Sequence, residues 1–149
     1  MNHHADRAEE LFRQGYNCAQ AVFCAFTDVT GLELGTAARI ASSFGGGMGR
    51  MREVCGAVSG ALMVLGIAKG YSDPADGDAK AAHYALVQDF ARCFRQAHGS
   101  IICRELLENV QTTPGGTPEA RTPAFYDHRP CAKFVRTAAG LVDEYLSQQ

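Results

Sequence analysis

The sequence predicts an all-α fold, a single-domain helical bundle of about five or six helices over residues 1–149 with a long Pro-rich loop before the last one. Three observations carry this expectation: apolar residues recur every three or four positions, cap and stop residues bracket those runs, and no stretch alternates with a strand's period of two.

Phe12, Tyr16, Ala19, Phe23 and Phe26 form the first apolar stripe, after Asp6 as a cap with Glu9 three residues on. Gly15 and Asn17 divide the stripe, and Asn17, a preferred N-cap residue, starts a fresh segment at Cys18. Gly31 to Gly35 form a turn, Thr36 caps a short helix through Ile40 and Phe44, and Gly45-Gly46-Gly47-Met48-Gly49 ends it. Val54 to Ala68, uncharged for 15 residues, reads as a buried core helix closed by Gly70, because it falls short of the roughly 18 to 20 residues that span a bilayer. Ser72-Asp73-Pro74 signals the next start, and Ala79, Ala82, Leu86, Phe90, Cys93 and Ala97 continue to a stop at Gly99. Ser100 caps a helix over Ile101 to Leu107, and the last helix runs from Cys131 through Val135, Ala138, Val142 and Tyr145. Residues 109–130 hold four of the five prolines and exceed the usual loop length of about 12 to 15 residues. Their end, with Phe125, Tyr126 and His128, is expected to act as a strap over a site.

The 149 residues carry 14 Lys and Arg against 16 Asp and Glu, a formal net charge of -2, with 46% apolar residues. This balance excludes a disordered tail and argues against a nucleic-acid partner, whose phosphates call for a basic surface. The start of the chain lacks the basic and apolar regions of a secretory signal, so a cytoplasmic location and no membrane insertion are expected. Six cysteines in a reducing compartment then point to metal binding or thiol redox chemistry rather than lasting disulfides.

Cys18, Cys55, Cys103 and Cys131 each fall at a helix start, whereas Cys24 and Cys93 lie mid-helix among apolar neighbours and read as core. Unpaired N–H groups and the macrodipole favour a thiolate at a helix start, by up to about one and a half pKa units. Arg50, Arg52, Arg104 and Arg129 stand close in sequence and add to that pull. Four converging helix starts would offset about two negative charges, the magnitude of a tetrathiolate 2Fe-2S centre. The spacing contains no C-x-x-C pair, which removes zinc ribbons and thioredoxin-type dithiols as direct readings, and no C-x-x-C-H for covalent haem. Any shared site has to be assembled by the tertiary fold.

Gly15-Tyr16-Asn17-Cys18-Ala19-Gln20-Ala21-Val22, Gly45 to Arg50, Cys55-Gly56-Ala57-Val58-Ser59-Gly60-Ala61 and the single Cys103 and Cys131 together resemble the C_GCAxxG_C_C family of redox-active proteins. The resemblance covers nearly the whole chain and implies Cys18, Cys55, Cys103 and Cys131 as the functional tetrad. A related helical domain in the split-Soret type of cytochrome makes an iron-sulfur cluster, 2Fe-2S first, the cofactor implied, with zinc or no metal as alternatives.

The glycine-rich segment lacks the G-K-[ST] of a P-loop, so phosphate cradling is disfavoured. Gly47, Gly49, Gly56 and Gly60 are instead the expected cofactor-side positions, with tight helix packing as the competing explanation for Gly56 and Gly60. His128, three residues before Cys131, is a ligand, a proton donor or a plain loop residue; His83 and His98 read as structural, and His3 and His4 as a frayed terminus. No paired carboxylates mark a hydrolase.

The leading expectation is four cysteines as metal ligands for an iron-sulfur cluster that passes electrons to a partner the sequence does not name. The alternatives are a metal-free thiol-disulfide oxidoreductase using Cys55 or Cys131, and a structural zinc or interaction module. A homodimer is compatible with the small-residue helix faces.

Overall fold

The computed structural model describes residues 3–148; Met1, Asn2 and Gln149 lie outside the described residues. Six helices of seven or more residues carry the core: α1 (His3–Arg13), α2 (Cys18–Cys24), α4 (Leu34–Ala41), α6 (Gly56–Lys69), α7 (Gly77–His98) and α10 (Cys131–Ser147). Between them lie the shorter turns α3 (Thr27–Thr30), α5 (Gly45–Met48), α8 (Cys103–Leu106) and α9 (Pro123–His128), with a 3-10 turn at Ser42–Phe44. The all-α class agrees with the sequence. The helix count is higher than expected because connections read as loops contain single helical turns. Among the described residues there is no strand, only an isolated antiparallel bridge between Val54 and Ile102.

The boundaries follow local chemistry. Asn17 accepts a hydrogen bond from the Gln20 amide at 2.8 Å, while the Gln20 side chain accepts from the Asn17 amide at 3.0 Å, a reciprocal capping box that starts α2 at Cys18. Gly99, with φ of 92°, ends α7 in the left-handed region that glycine enters without a Cβ penalty. Several expected caps are displaced. Helix α1 already runs at His3, so Asp6 lies in its first turn. Helix α4 begins before Thr36, with Glu33 at its cap. Helix α7 is capped by Asp76, whose carboxylate accepts from the Ala79 amide at 2.9 Å, while Asp73 turns the preceding loop by accepting from Ala75. Ser100 accepts from the Ile102 amide, which delays α8 to Cys103.

Helix α6 is the centre of the bundle, packed by α2 on one side and α10 on another, with α1 laid along α10. Its face of Gly56, Ala57, Gly60, Ala61, Val64 and Leu65 is buried. At Gly60 a Cβ would stand 2.5 Å from the Ala19 carbonyl oxygen, so α2 and α6 approach as closely as they do only because a side chain is missing. Phe12, Phe23, Phe26, Phe90 and Phe94 are fully buried in the same core, each contributing roughly 1.5–3 kcal/mol by leaving water. Cys24 belongs to that core as expected; Cys93 does not, being only half-buried with its sulfur 3.8 Å from the Tyr145 hydroxyl. His4 is not frayed: it stacks on Phe26 at 4.0 Å and its ring nitrogens meet Asp143 at 2.7 Å and Asp28 at 2.9 Å. No helix among the described residues is long and apolar enough to cross a membrane.

Candidate functional site

Four distant segments meet at one end of α6. The chain enters α6 through residues 52–55, which run beside residues 101–104: the Cys55 amide donates to the Ile101 carbonyl at 2.7 Å, and the Cys103 amide to the Glu53 carbonyl at 2.6 Å. That short pairing sets the starts of α6 and α8 side by side, with Cys55 and Cys103 on them. Gly56, the first residue of α6, lies against α2: a Cβ there would come 3.0 Å from the Ala19 nitrogen and 3.3 Å from the Cys18 Cβ. Cys18 is thereby brought to the same corner. Cys131 opens α10, and the Cys18 thiol donates towards its sulfur.

All four thiols wall one cavity of about 300 Å³, with Phe12, Leu107, Phe125 and Phe134 as apolar walls and Arg50, Arg52, Glu119, Arg121 and Arg129 as charged ones. Cys55, Cys103 and Cys131 are at most 7% exposed, and Cys18 is half-buried. Among the described residues, no group of three or more His, Cys, Asp or Glu is arranged to hold a metal ion. The four thiols share one wall and are close enough to influence one another's ionisation.

The glycine-rich segment makes the remaining wall. It is no regular helix. Gly46, Gly47 and Gly49 have φ of 66°, 70° and 59°, and Met48, Arg50 and Arg52 adopt φ of 69°, 67° and 62°, a region unfavourable to residues with a Cβ. This tight coil is pinned by hydrogen bonds from Arg52 to the Gly46 carbonyl and from Glu53 to the Gly47 carbonyl at 2.9 Å. A Cβ at Gly47 would stand 2.8 Å from the Cys103 Cβ, so the glycine leaves the space that the thiol uses. Gly47, Gly49 and Gly56 thus reach the cavity wall. Gly60 lies deeper in α6, where its contact is the α2 backbone.

The thiols differ in acidity, and three of them run against the helix-start expectation. Cys55 is pushed up to about 12 by burial, which the Ala57 and Val58 amides only partly offset. Cys18 is raised because its proton is donated towards Cys131, and burial adds to this. Cys103 is raised by burial despite the Arg52 guanidinium 3.8 Å away. Helices α2 and α8, of seven and four residues, are too short to supply the full terminal field assumed from sequence. Cys131 alone is lowered, to about 7, first by the Cys18 hydrogen bond and then by Arg129 and Arg121, which together outweigh burial.

Segment 109–130 covers this cavity, and it contains helix α9 where an unbroken loop was expected. Arg50 holds the segment by donating to the carbonyls of Thr113, Gly115 and Thr117. Glu119 takes an ion pair from Arg129 at 2.5 Å and another from Arg50 at 2.9 Å. Arg121 ties the segment to the corner between α1 and α2 through the Phe12 and Tyr16 carbonyls, its guanidinium 4.5 Å over the Phe12 ring. Glu119 and Arg121 were not singled out from sequence; no periodicity marks a loop carboxylate whose partners are Arg50, 69 residues upstream, and Arg129, 10 residues downstream. Arg104 pairs with Glu53 at 2.6 Å instead of facing a thiol. His128 is exposed and is not part of the cavity wall. His98 donates to or accepts from Thr137 between the Phe94 and Phe134 rings, and His83 lies against Tyr71.

An all-α bundle that gathers four sequence-distant thiols at the head of its central helix defines a cysteine-tetrad protein. The chain belongs to the family described as "Putative redox-active protein (C_GCAxxG_C_C)", whose model matches residues 16–145. No curated protein and no solved structure matches it.

Proposed function

We propose that the protein is an electron-transfer protein in which Cys18, Cys55, Cys103 and Cys131 hold an iron-sulfur cluster, 2Fe-2S in the first instance. The observation that supports this reading is the convergence of all four thiols on one cavity, from four separate helix starts. The donor set is chemically suited: four sulfurs with cations beside them, and a backbone wall cleared of Cβ atoms at Gly47 and Gly56. A bound cluster would supply reversible one-electron chemistry. The chain would contribute the thiolates, the arginines that offset their charge, and an apolar wall with a covering segment that keeps water out. Zinc on the same four sulfurs is the competing metal reading, and it would supply no redox chemistry. The test is anaerobic purification followed by iron and sulfide determination and visible absorbance, with each tetrad cysteine changed to Ser in turn. Retained iron and sulfide that fall in all four variants support the reading; absence of both after reconstitution ends it.

One observation favours a second reading, a thiol-disulfide oxidoreductase: the Cys18 thiol donates towards Cys131, the one acidic member of the tetrad. The Cys131 thiolate would attack a disulfide of a partner, expelling one partner sulfur as thiolate. Cys18 would then attack the Cys131 sulfur, releasing the second partner thiolate and passing it the Cys18 proton. The pair is thus oxidised by two electrons and the partner disulfide reduced. Of the two cysteines expected to attack, Cys131 suits the role better, since its thiol is lowered while burial pushes Cys55 up to about 12. Thiol counting before and after mild oxidation discriminates: a loss of two thiols without metal, abolished by Cys18→Ser, supports it, and an unchanged count removes it.

A further inference from the structure

The charged side of the cavity is out of balance. While the thiols are protonated, Arg50, Arg52, Arg121 and Arg129 face one carboxylate among the described residues, Glu119, an excess of three positive charges beside apolar walls where such an excess is poorly screened. Most of these cations are committed. Arg50 is saturated by segment carbonyls, the Thr113 hydroxyl and Glu119, and Arg121 by the Phe12 and Tyr16 carbonyls. Arg129 pairs with Glu119 and lies over the Phe125 ring at 4.8 Å.

Arg52 is the exception. A guanidinium offers five N–H donors, yet among the described residues the Arg52 side chain, 17% exposed, has only the Cys103 sulfur at 3.8 Å and Glu119 at 3.6 Å as acceptors. The backbone holds it there deliberately: φ of 62° at Arg52 is costly, and the Arg52 carbonyl is clamped by the Arg104 amide and guanidinium, each at 3.1 Å. A strained residue thus presents an under-used fork of donors to an enclosed space. The chain already demonstrates what chemistry this wall accepts, because the Glu119 carboxylate bridges Arg129, Arg50 and, at longer range, Arg52.

We propose that the cavity binds a small oxyanion on Arg52 and Arg129, beside Cys103 and Cys131, with the Glu119 carboxylate as its tethered competitor. The ligand is compact, doubly charged or carboxylate-like, with two oxygens spaced to take a guanidinium fork. The proposal does not rest on what the thiols hold. It is tested on reduced, full-length protein whose iron content is measured on the same sample, so loss of one idea leaves the other standing.

The experiment is isothermal titration at constant ionic strength with sodium sulfate, and separately with sodium acetate, to distinguish an inorganic oxyanion from a carboxylate. Glu119→Gln removes the competitor and is expected to tighten sulfate binding about tenfold, a change of about 1.4 kcal/mol. Arg52→Gln is expected to weaken it by at least about tenfold, whereas Arg92→Gln, in an exposed pair with Asp89 on α7, leaves it unchanged. Binding to the Glu119→Gln protein that is lost in the Arg52→Gln/Glu119→Gln double variant supports the site even where wild type binds weakly. Failure of both anions to bind the Glu119→Gln protein overturns the proposal, as does binding that is indifferent to Arg52.

Discussion

At the scale of single residues, the tetrad is one acidic thiol among three reluctant ones. Burial governs Cys55 and Cys103, while Cys131 has the Cys18 hydrogen bond and Arg129 on its side. The alkylation rate of Cys131, followed by mass spectrometry against pH, is therefore expected to reach half its maximum near pH 7. Cys18→Ala removes the hydrogen bond that favours the thiolate, so the midpoint moves upward; a midpoint that stays in place contradicts the pairing. The placement of the four cysteines at helix starts was legible in the sequence because such positions have local signatures. Their acidities were not, because desolvation depends on which apolar side chains the rest of the chain brings over each sulfur. Glu119 was invisible for the same reason: its meaning lies in Arg50 and Arg129, which only the folded chain sets beside it.

At the scale of elements, the start of α2 shows why some boundaries could be read. Asn17 and Gln20 form a closed local circuit worth about 1 kcal/mol, complete within four residues. The start of α7 was misplaced because Asp73-Pro74 and Asp76 are both competent cap signals, and only the geometry of the turn chooses the later one. Helix α10 begins at Cys131, about where its apolar stripe was expected to start. Helix α6 gives a sharp test of how its two interior glycines differ. Gly60→Ala forces a Cβ into the Ala19 carbonyl and is expected to lower stability by about 1–3 kcal/mol or more. Gly66→Ala, in the same helix with nothing within 4 Å of its Cβ, is expected to raise it by roughly 0.5–1 kcal/mol. Chemical denaturation of the two variants measures both; equal effects would show that the α2–α6 approach is not what demands glycine.

At the scale of the whole molecule, the covering segment is fastened by ion pairs and carbonyl contacts rather than by a large apolar face. Glu119 is the central fastening, and although burial opposes it, the Thr113 amide, Arg129 and Arg50 hold its carboxyl below the usual carboxylate range. A group lowered on folding stabilises the closed state fully above its unfolded value, and that contribution is lost as pH falls through the lowered one. Proteolysis within residues 110–122 is therefore expected to be slow at neutral pH and to accelerate on acidification, using an acid-active protease. In Glu119→Gln the dependence on pH should disappear, with the total helicity unchanged by circular dichroism. Cleavage that ignores both pH and the substitution would mean that Arg121 and the Phe125 contacts suffice.

The distribution of the tetrad along the chain has a consequence for biosynthesis. Cys18, Cys55 and Cys103 are translated well before Cys131, which opens α10. A ribosome-bound chain that has not yet extruded residues 131–147 carries three of the four tetrad thiols and lacks the acidic one. Assembly of the thiol-lined cavity is in this sense self-timed: it waits on translation of the final helix, and a product truncated before Cys131 lacks one of the four sulfurs.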